Sequence, residues 1–512
     1  MIQNERSKME HQSSYPDQQC NGMACAGCSN ADLQPKIFKL TIDCFDEIFE
    51  YLSMKDLHSL GQTCKTMQQV CGKYFKRTYS AAEKFCARDG IYTTYSSMGG
   101  DVNQRIQTSC FNQFMPCISH YYGAIGPIHY LQKHVNEFIS TNHIYLVSLF
   151  INHEKVELIR EILPQIEIMQ IRNCSMSRNF YELMLKYCEN LKCIYLQNAD
   201  SSFNSKHEWL VQDYPQLEHL ELMPSYPIVV DELKAFFERN PKVKRFSTTA
   251  RFLWINRNEF LNSKVQLNVL EIKAEFFTEF DESGNKIIIW DVLNRLHAQG
   301  FYERLFVYTG RVDQELSNQL ASVSASLETL CIRRFKSSFS LPLLSNLKEL
   351  ILLDGANVAD MAVLAKSLKK IQRIYVDKAT VDDILPFIRQ STQLSKIKLF
   401  LKGEQEQQRI LDENNDDNNN NAAFKRWYEE DEKKNENDNI DKVEEKSASN
   451  WRILDLVALN KERKKLVGAR KVTIYVRDDV FLATKWAAYN GDINLSLIEM
   501  RRSDSYEWNH HF

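Results

Sequence analysis

Glycine and proline are scarce, at 16 and 11 residues, about 5% of 512. That is under half their usual share, which excludes collagen-like and Gly/Pro-rich disordered chains and disfavours turn-dense propellers. Long apolar runs are missing too. The best one, Ile144–Ile151, is far shorter than the ~18 residues of a membrane span. The first twenty residues hold no apolar stretch of the kind a secretory signal needs. The 13 cysteines are therefore expected as reduced thiols, in the cytoplasm or the nucleus or both. Charge of one sign is also absent. The net charge of -3 supplies no global pull toward nucleic acid or an anionic membrane.

Chemistry-bearing motifs are lacking as well. There is no Gly-x-x-x-x-Gly-Lys-Ser/Thr phosphate loop, no Gly-x-Ser-x-Gly elbow and no His-Glu-x-x-His. His207-Glu208 has no second histidine to follow it. Cys25 and Cys28 form a Cys-x-x-Cys near Cys20, but zinc takes four ligands and no second pair follows. The reading is a chain with no catalytic residues, no metal site and no cofactor.

What is present divides the chain. Residues 1–35 are polar and rich in Gln, Ser and Asn, as in a disordered tail. Residues 36–80 change character. Phe45, Ile48, Phe49 and Leu52 follow one helix face. Ser53-Met-Lys-Asp56 reads as a capping-box variant that starts a second helix. Leu57, Leu60, Cys64 and Met67 continue the stripe, with a break at Gly61 and Thr63 before a third helix. A unit of about 40 residues is too small for a good core of its own, so its apolar faces need either a partner or the rest of the chain. Residues 81–139 are read as a helical linker without clear organisation, with Tyr79–Ala87 extending a helix and Ser96–Val102 forming a loop.

From 140 to 411 the pattern repeats. Apolar residues at positions 1, 4 and 6 recur in matches that begin at Ile166, Leu191, Leu217, Val243 and Leu267, then at Tyr302, Leu327, Leu347, Ile371 and Leu394. Two more, at Ala469 and Leu495, fall in 451–512. Most intervals are 20 to 26 residues, inside the range of leucine-rich repeats. One longer step holds Asp281–Asn285, read as a surface excursion, and Ile144–Leu146 is read as an N-terminal cap strand. Helical spacing at Phe180–Cys188 and Val230–Arg239, each followed by a stop at Asn190 or Asn240-Pro241, completes the strand–helix units. Cys174 fills the ninth position of its repeat, where most others lack Asn or Cys, so irregular repeats are expected. The fold class is α/β, a horseshoe solenoid of leucine-rich repeats behind a three-helix unit.

Residues 412–450 interrupt the array with 13 acidic residues, 6 basic ones and 10 Asn, as in a disordered insertion. Without it the remainder carries +4, so the near-neutral total joins a basic folded part to an acidic loop. Phe424, Trp427 and Tyr428 in that loop read as a tether or a docking motif. Lys461–Lys465 reads as a solvated helix face in preference to a nuclear signal.

Residues 36–78 resemble an F-box. The run Leu40-Thr-Ile-Asp-Cys-Phe45, then Tyr51-Leu52, Asp56-Leu57 and Cys64-Lys65, follows that motif in order and without gaps. It departs at Thr41, where the family has proline. Tyr187–Leu191 and Asp213–Leu217 are similar to the lead-in of cysteine-containing leucine-rich repeats, and the layout resembles F-box/leucine-rich-repeat proteins. The resemblance implies a substrate receptor of an SCF-type ubiquitin ligase. It would bind a Skp-family adaptor, and through it a cullin–RING ligase, by Leu40, Ile42, Phe45, Ile48, Leu52, Leu57 and Leu60. A degradation-independent scaffold is the alternative, and an RNA-binding solenoid is the weaker third.

Positions 3, 5 and 7 of each strand would face the ligand. Of 36 such positions ten are basic, about twice what composition supplies, and five are acidic. Arg172, Tyr195, Arg245, Arg304, Phe306, Tyr308, Arg333, Arg373, Tyr375 and Lys398 are the candidate substrate contacts. A basic face selects an acidic or phosphorylated protein, with the acidic insertion as an internal competitor.

Overall fold

A computed structural model of the protein describes residues 36–80, 82–87, 90–94, 110–121, 134–177, 179–198, 208–224, 230–274, 289–312, 314–335, 341–354, 358–401, 453–488 and 491–502. The tail 1–35, the loop at Ser96–Val102, the excursion at Asp281–Asn285 and the insertion 412–450 lie outside these residues. The chain forms two units, one ending at Phe45 and one beginning at Asp46.

The first unit holds a 3-10 turn, Lys36–Lys39, and the start of helix α1, Ile42–Phe49. Thr41 begins that helix. Its hydroxyl accepts from Cys44 N at 3.4 Å and its carbonyl from Phe45 N at 3.2 Å. A hydroxyl at this site satisfies an amide that the helix leaves open, which gives threonine a local role where the motif has proline.

In the second unit come α2, Met54–Gly61, and α3, Lys65–Thr78. Ser53 caps α2 by accepting from Asp56 N at 3.1 Å, as the capping-box reading expects. Cys64 caps α3 through its sulfur, 3.4 Å from Met67 N.

The rest of this unit is one 16-stranded sheet with helices or turns between strands. Its strands are β1 Glu83–Ala87, β2 Gly90–Thr94, β3 Cys117–Tyr121, β4 His143–Val147, β6 Ile168–Arg172, β8 Cys193–Gln197, β9 His219–Met223, β10 Arg245–Thr249, β11 Leu267–Ala274, β12 Tyr302–Arg311, β13 Leu327–Arg334, β14 Glu349–Leu352, β15 Arg373–Ala379, β16 Lys396–Leu401, β17 Val472–Val476 and β18 Ile498–Arg502. From β3 to β18 neighbours follow chain order and run parallel, and only β1 and β2 pair antiparallel. β5 (Phe150–Ile151) and β7 (Ser175–Met176) pair separately.

The register comes from the apolar triplets. Ile194 lies opposite Met169 and Leu220, and Leu196 opposite Ile171 and Leu222, all fully buried. Two steps of register depart from the sequence reading. A bulge at Leu305/Phe306 sets Val307, not Leu305, opposite Leu330. Across the insertion, Ile397 faces Ile474 and not Val472. The aligned frame of the last two strands therefore starts two residues later than Ala469 and Leu495. A shift of two keeps every side chain on its face, but it moves Arg502 into an interior row.

The N-terminal end differs more. The stretch expected to extend a helix to Ala87 becomes a strand at Glu83. Ile144–Leu146 lies in a strand but does not end the sheet, because β3, β1 and β2 lie beyond it. After β4, β6 and β8 the chain turns through Ser148, Asn173 and Asn198, each with φ of 50 to 53°. Asparagine tolerates this left-handed conformation better than most residues. Polar links between repeats also sit elsewhere than the ninth position. Asn240 accepts from Tyr214 N at 2.6 Å, and Asn256 from Val230 N at 2.8 Å. Both are buried just past a helix end. Asn240 was legible only as a helix stop.

The KERKK run lies in the helix Leu456–Lys464 up to its cap at Lys465, but Arg463 is buried rather than part of a solvated face. It donates to the carbonyls of Ile388, Ser391, Thr392, Leu394 and Arg470 at 2.8 to 3.3 Å. Burial pulls its guanidinium down to about 10, so it stays charged at neutral pH. Arg463→Met strands these carbonyls and is expected to cost about 3 kcal/mol or more, read by urea denaturation.

Buried Glu83 gives a pH signature. Burial raises its carboxyl from 4.5 to about 7. Stability from a raised group is full below its unfolded value and is lost as pH climbs through its folded value. Glu83→Gln should therefore gain stability relative to wild type between about pH 5 and pH 8. A difference in thermal midpoint that stays constant with pH contradicts this.

Candidate functional site

The seven candidate docking residues divide by burial. Leu40 and Ile42 in the first unit are 40% and 52% exposed, and Ile48 in the second is 42% exposed. Leu52 and Leu60 are half-buried. Phe45 and Leu57 are buried, so their side chains are core and not presented surface. Ile37, outside the seven, is also exposed.

Helices α2 and α3 pack on the segment that leads into β3. Phe111 stacks against His58 and Phe75, with ring centroids 4.2 and 5.1 Å away. Gln68 donates to Cys110 O at 2.5 Å. Gly72 is required by contact, since any Cβ there would overlap the Phe114 ring. Burial pulls His58 down to about 3, so it is neutral in this apolar setting.

The same helices meet the other end of the sheet, more than 400 residues later in the chain. Arg502, in the interior row of β18, donates to Tyr74 Oη at 3.0 Å and to the carbonyls of Glu50 and Leu52 at 3.0 and 2.9 Å. It also pairs with buried Asp478 at 2.8 Å, which accepts from Tyr79 Oη at 3.2 Å. Burial raises the Asp478 carboxyl, and Arg502 opposes that shift. In the helix Asp478–Ala487, buried Lys485 bonds Glu50 and sits over the Tyr51 ring, 4.4 Å from its centroid.

Residues 37–77 match the family model described as F-box domain. No curated protein matches the chain. F-box domains generally bind Skp-family adaptors of cullin–RING ligases, so α1 to α3 carry an adaptor-binding role. Residues 46–80 of the F-box region are fastened to the segment that leads into β3 and to the end strand β18.

The face made by positions 3, 5 and 7 is less open than its composition implies. Tyr195, Phe306 and Tyr375 are buried, each flanked by neighbouring strands at sheet spacing. Phe306, Cys331, Ile351, Tyr375 and Tyr475 form one apolar cluster, with Tyr308 and Phe400 packed on it. Lys398 lies 5.5 Å from the Tyr375 ring centroid and 5.6 Å from that of Phe400.

Beside this cluster is a closed polar network. Glu271 accepts from Arg245 at 2.6 Å and from Ser247 at 2.8 Å. Glu221 accepts from Lys273 at 2.9 Å and from Gln197 at 2.6 Å. His219 joins Tyr195 Oη at 3.0 Å to Ser247 Oγ at 2.9 Å. Burial alone would lower Lys273, but Glu221 and Glu271 outweigh it and hold the ammonium above its ordinary value. Ser247 is fully buried, so this Tyr–His–Ser chain has no approach for a substrate. Among the described residues no cluster of His, Cys, Asp and Glu is placed to hold a metal, and no helix is long and apolar enough to cross a membrane.

Three more of the basic candidates are also paired. Arg373 meets buried Glu349 at 2.7 Å, Arg304 meets Glu328 at 3.4 Å, and Arg333 meets Asp354 at 3.5 Å. Arg172, Arg304 and Arg333 are exposed, while Arg245, Tyr308, Arg373 and Lys398 are half-buried. Sequence reading found the basic residues but could not see partners such as Glu328 and Asp354, which lie off the counted positions. Nor could it see Arg502, placed two residues out of frame.

Arg502→Met leaves Asp478 buried without its guanidinium, and about 3–5 kcal/mol of destabilisation is expected. Adding Asp478→Asn to Arg502→Met should recover part of that loss. Equal stability of the wild type and Arg502→Met in chemical denaturation contradicts the assignment.

Proposed function

We propose that this chain is the substrate-recognition subunit of an SCF-type ubiquitin ligase. The F-box match carries this reading. The α1–α3 unit binds the Skp-family adaptor, with Leu40, Ile42 and Ile48 as the exposed apolar contacts. We read the parallel array as a leucine-rich-repeat horseshoe that holds a protein substrate for ubiquitination and degradation. Bond-making belongs to other subunits. This chain supplies proximity and orientation, has no catalytic residue of its own, and works in the cytoplasm, the nucleus or both.

Within the array, the accessible basic residues favour an acidic or phosphorylated substrate. Arg172, Arg304 and Arg333 are exposed at strand positions 3 or 7, with Tyr308 and Lys398 partly open beside them. Arginine and tyrosine are the types that most often dominate interface energies. Because Arg304 and Arg333 already hold carboxylates, an incoming anion has to exchange with those partners, and this favours a multivalent ligand over a single charge. The degradation-independent scaffold uses the same two surfaces and differs only in the fate of the bound protein.

Purified full-length chain should retain a purified Skp-family adaptor, and Ile48→Asp should abolish retention with little change in stability, because Ile48 is exposed. A protein that is captured by the array and accumulates when the chain is removed from cells marks the degradative role. A wild-type chain that retains no adaptor contradicts the proposal.

A further inference from the structure

Trp486 is 63% exposed at the last turn of the helix Asp478–Ala487. An indole left in water forgoes a large apolar burial, and the segment around it is held in place. On one side is Lys485, whose ammonium bonds Glu50, lies 3.7 Å from Glu47, and sits over the Tyr51 ring. On the other is Gly491, with φ of +68°, packed so closely on the Tyr51 hydroxyl that a Cβ would overlap it. Lys485 and Gly491 thus both pack on Tyr51, in the turn between α1 and α2. Ile48, 42% exposed, follows Glu47 directly in sequence and precedes Tyr51 by three residues. One lysine side chain therefore separates the backbone of Trp486 from the carboxylates that flank Ile48.

We propose that Trp486, supplied by the far end of the array, extends the adaptor-docking face of the F-box next to Ile48. The occupant is the Skp-family adaptor, because Lys485, the chain neighbour of Trp486, is bound to Glu47 and Glu50 on either side of exposed Ile48 in the F-box. The inference rests on the F-box reading. Tryptophan is among the residues most enriched at interface hot spots. The arrangement also makes adaptor affinity depend on an intact C-terminal end, more than 400 residues from the motif itself.

The test measures affinity of the purified full-length chain for a purified Skp-family adaptor by biolayer interferometry. Trp486→Ala should weaken binding roughly tenfold or more, with the thermal midpoint unchanged because the side chain is exposed. Ile48→Asp is the control for the F-box reading itself. If Ile48→Asp abolishes binding while Trp486→Ala binds like wild type, the F-box reading stands and the Trp486 inference falls. If the wild type does not bind, both fall. Self-association that is lost in Trp486→Ala, with adaptor affinity unchanged, would overturn the inference by assigning the indole to a second copy of this chain.

Discussion

The constraint on which the whole structure depends is that no strand here can bury its own interior row. Met169 and Ile171 are removed from water only because Ile144 and Leu146 stack on one side and Ile194 and Leu196 on the other. Such an array is stable as a sum of neighbour contacts and exposes its core at each end. The helices meet that problem at β18. There the interior position is Arg502, whose guanidinium is matched to the carbonyls that the helical region offers and to the carboxylate of Asp478. Helices α2 and α3 also cover Phe111 and Phe114, on the segment that leads into β3.

This solution has a consequence for rigidity. Helices α2 and α3 are packed on the sheet unit through Phe111 and Arg502, so they are held in one orientation to its strands. The polar network of Glu221, Lys273, Glu271 and Arg245 serves rigidity in a similar way. Buried ion pairs add little net stability over apolar packing, but losing one partner is costly, so the network admits few alternative arrangements of β9 to β11.

Much of the fold was legible in sequence because repetition is a local signal. Triplets such as Leu217-Leu220-Leu222 state both the strand and its buried face, and Ser53 with Asp56 states a helix start. Three things were not legible. The strands at Glu83 and Cys117 carry no triplet, since a sheet end does not need the repeat pattern. The register steps at Phe306 and across the insertion depend on geometry between strands. Pairing between sites distant in sequence, such as Arg502 with Tyr74 or Arg333 with Asp354, leaves no periodic trace at all. For the same reason composition overstated the basic face. It counts charges, and charge that is already paired inside the fold does not attract a ligand as free charge does.

The central claim is that helices α2 and α3 and the strand β18 belong to one cooperative body. Native-state hydrogen exchange on the full chain tests it most directly, because amides that open in one cooperative step share one opening free energy. The account predicts common protection for α3 amides and β18 amides, with both lowered together by Arg502→Met. Fast exchange throughout α3 beside a fully protected β18 would contradict it.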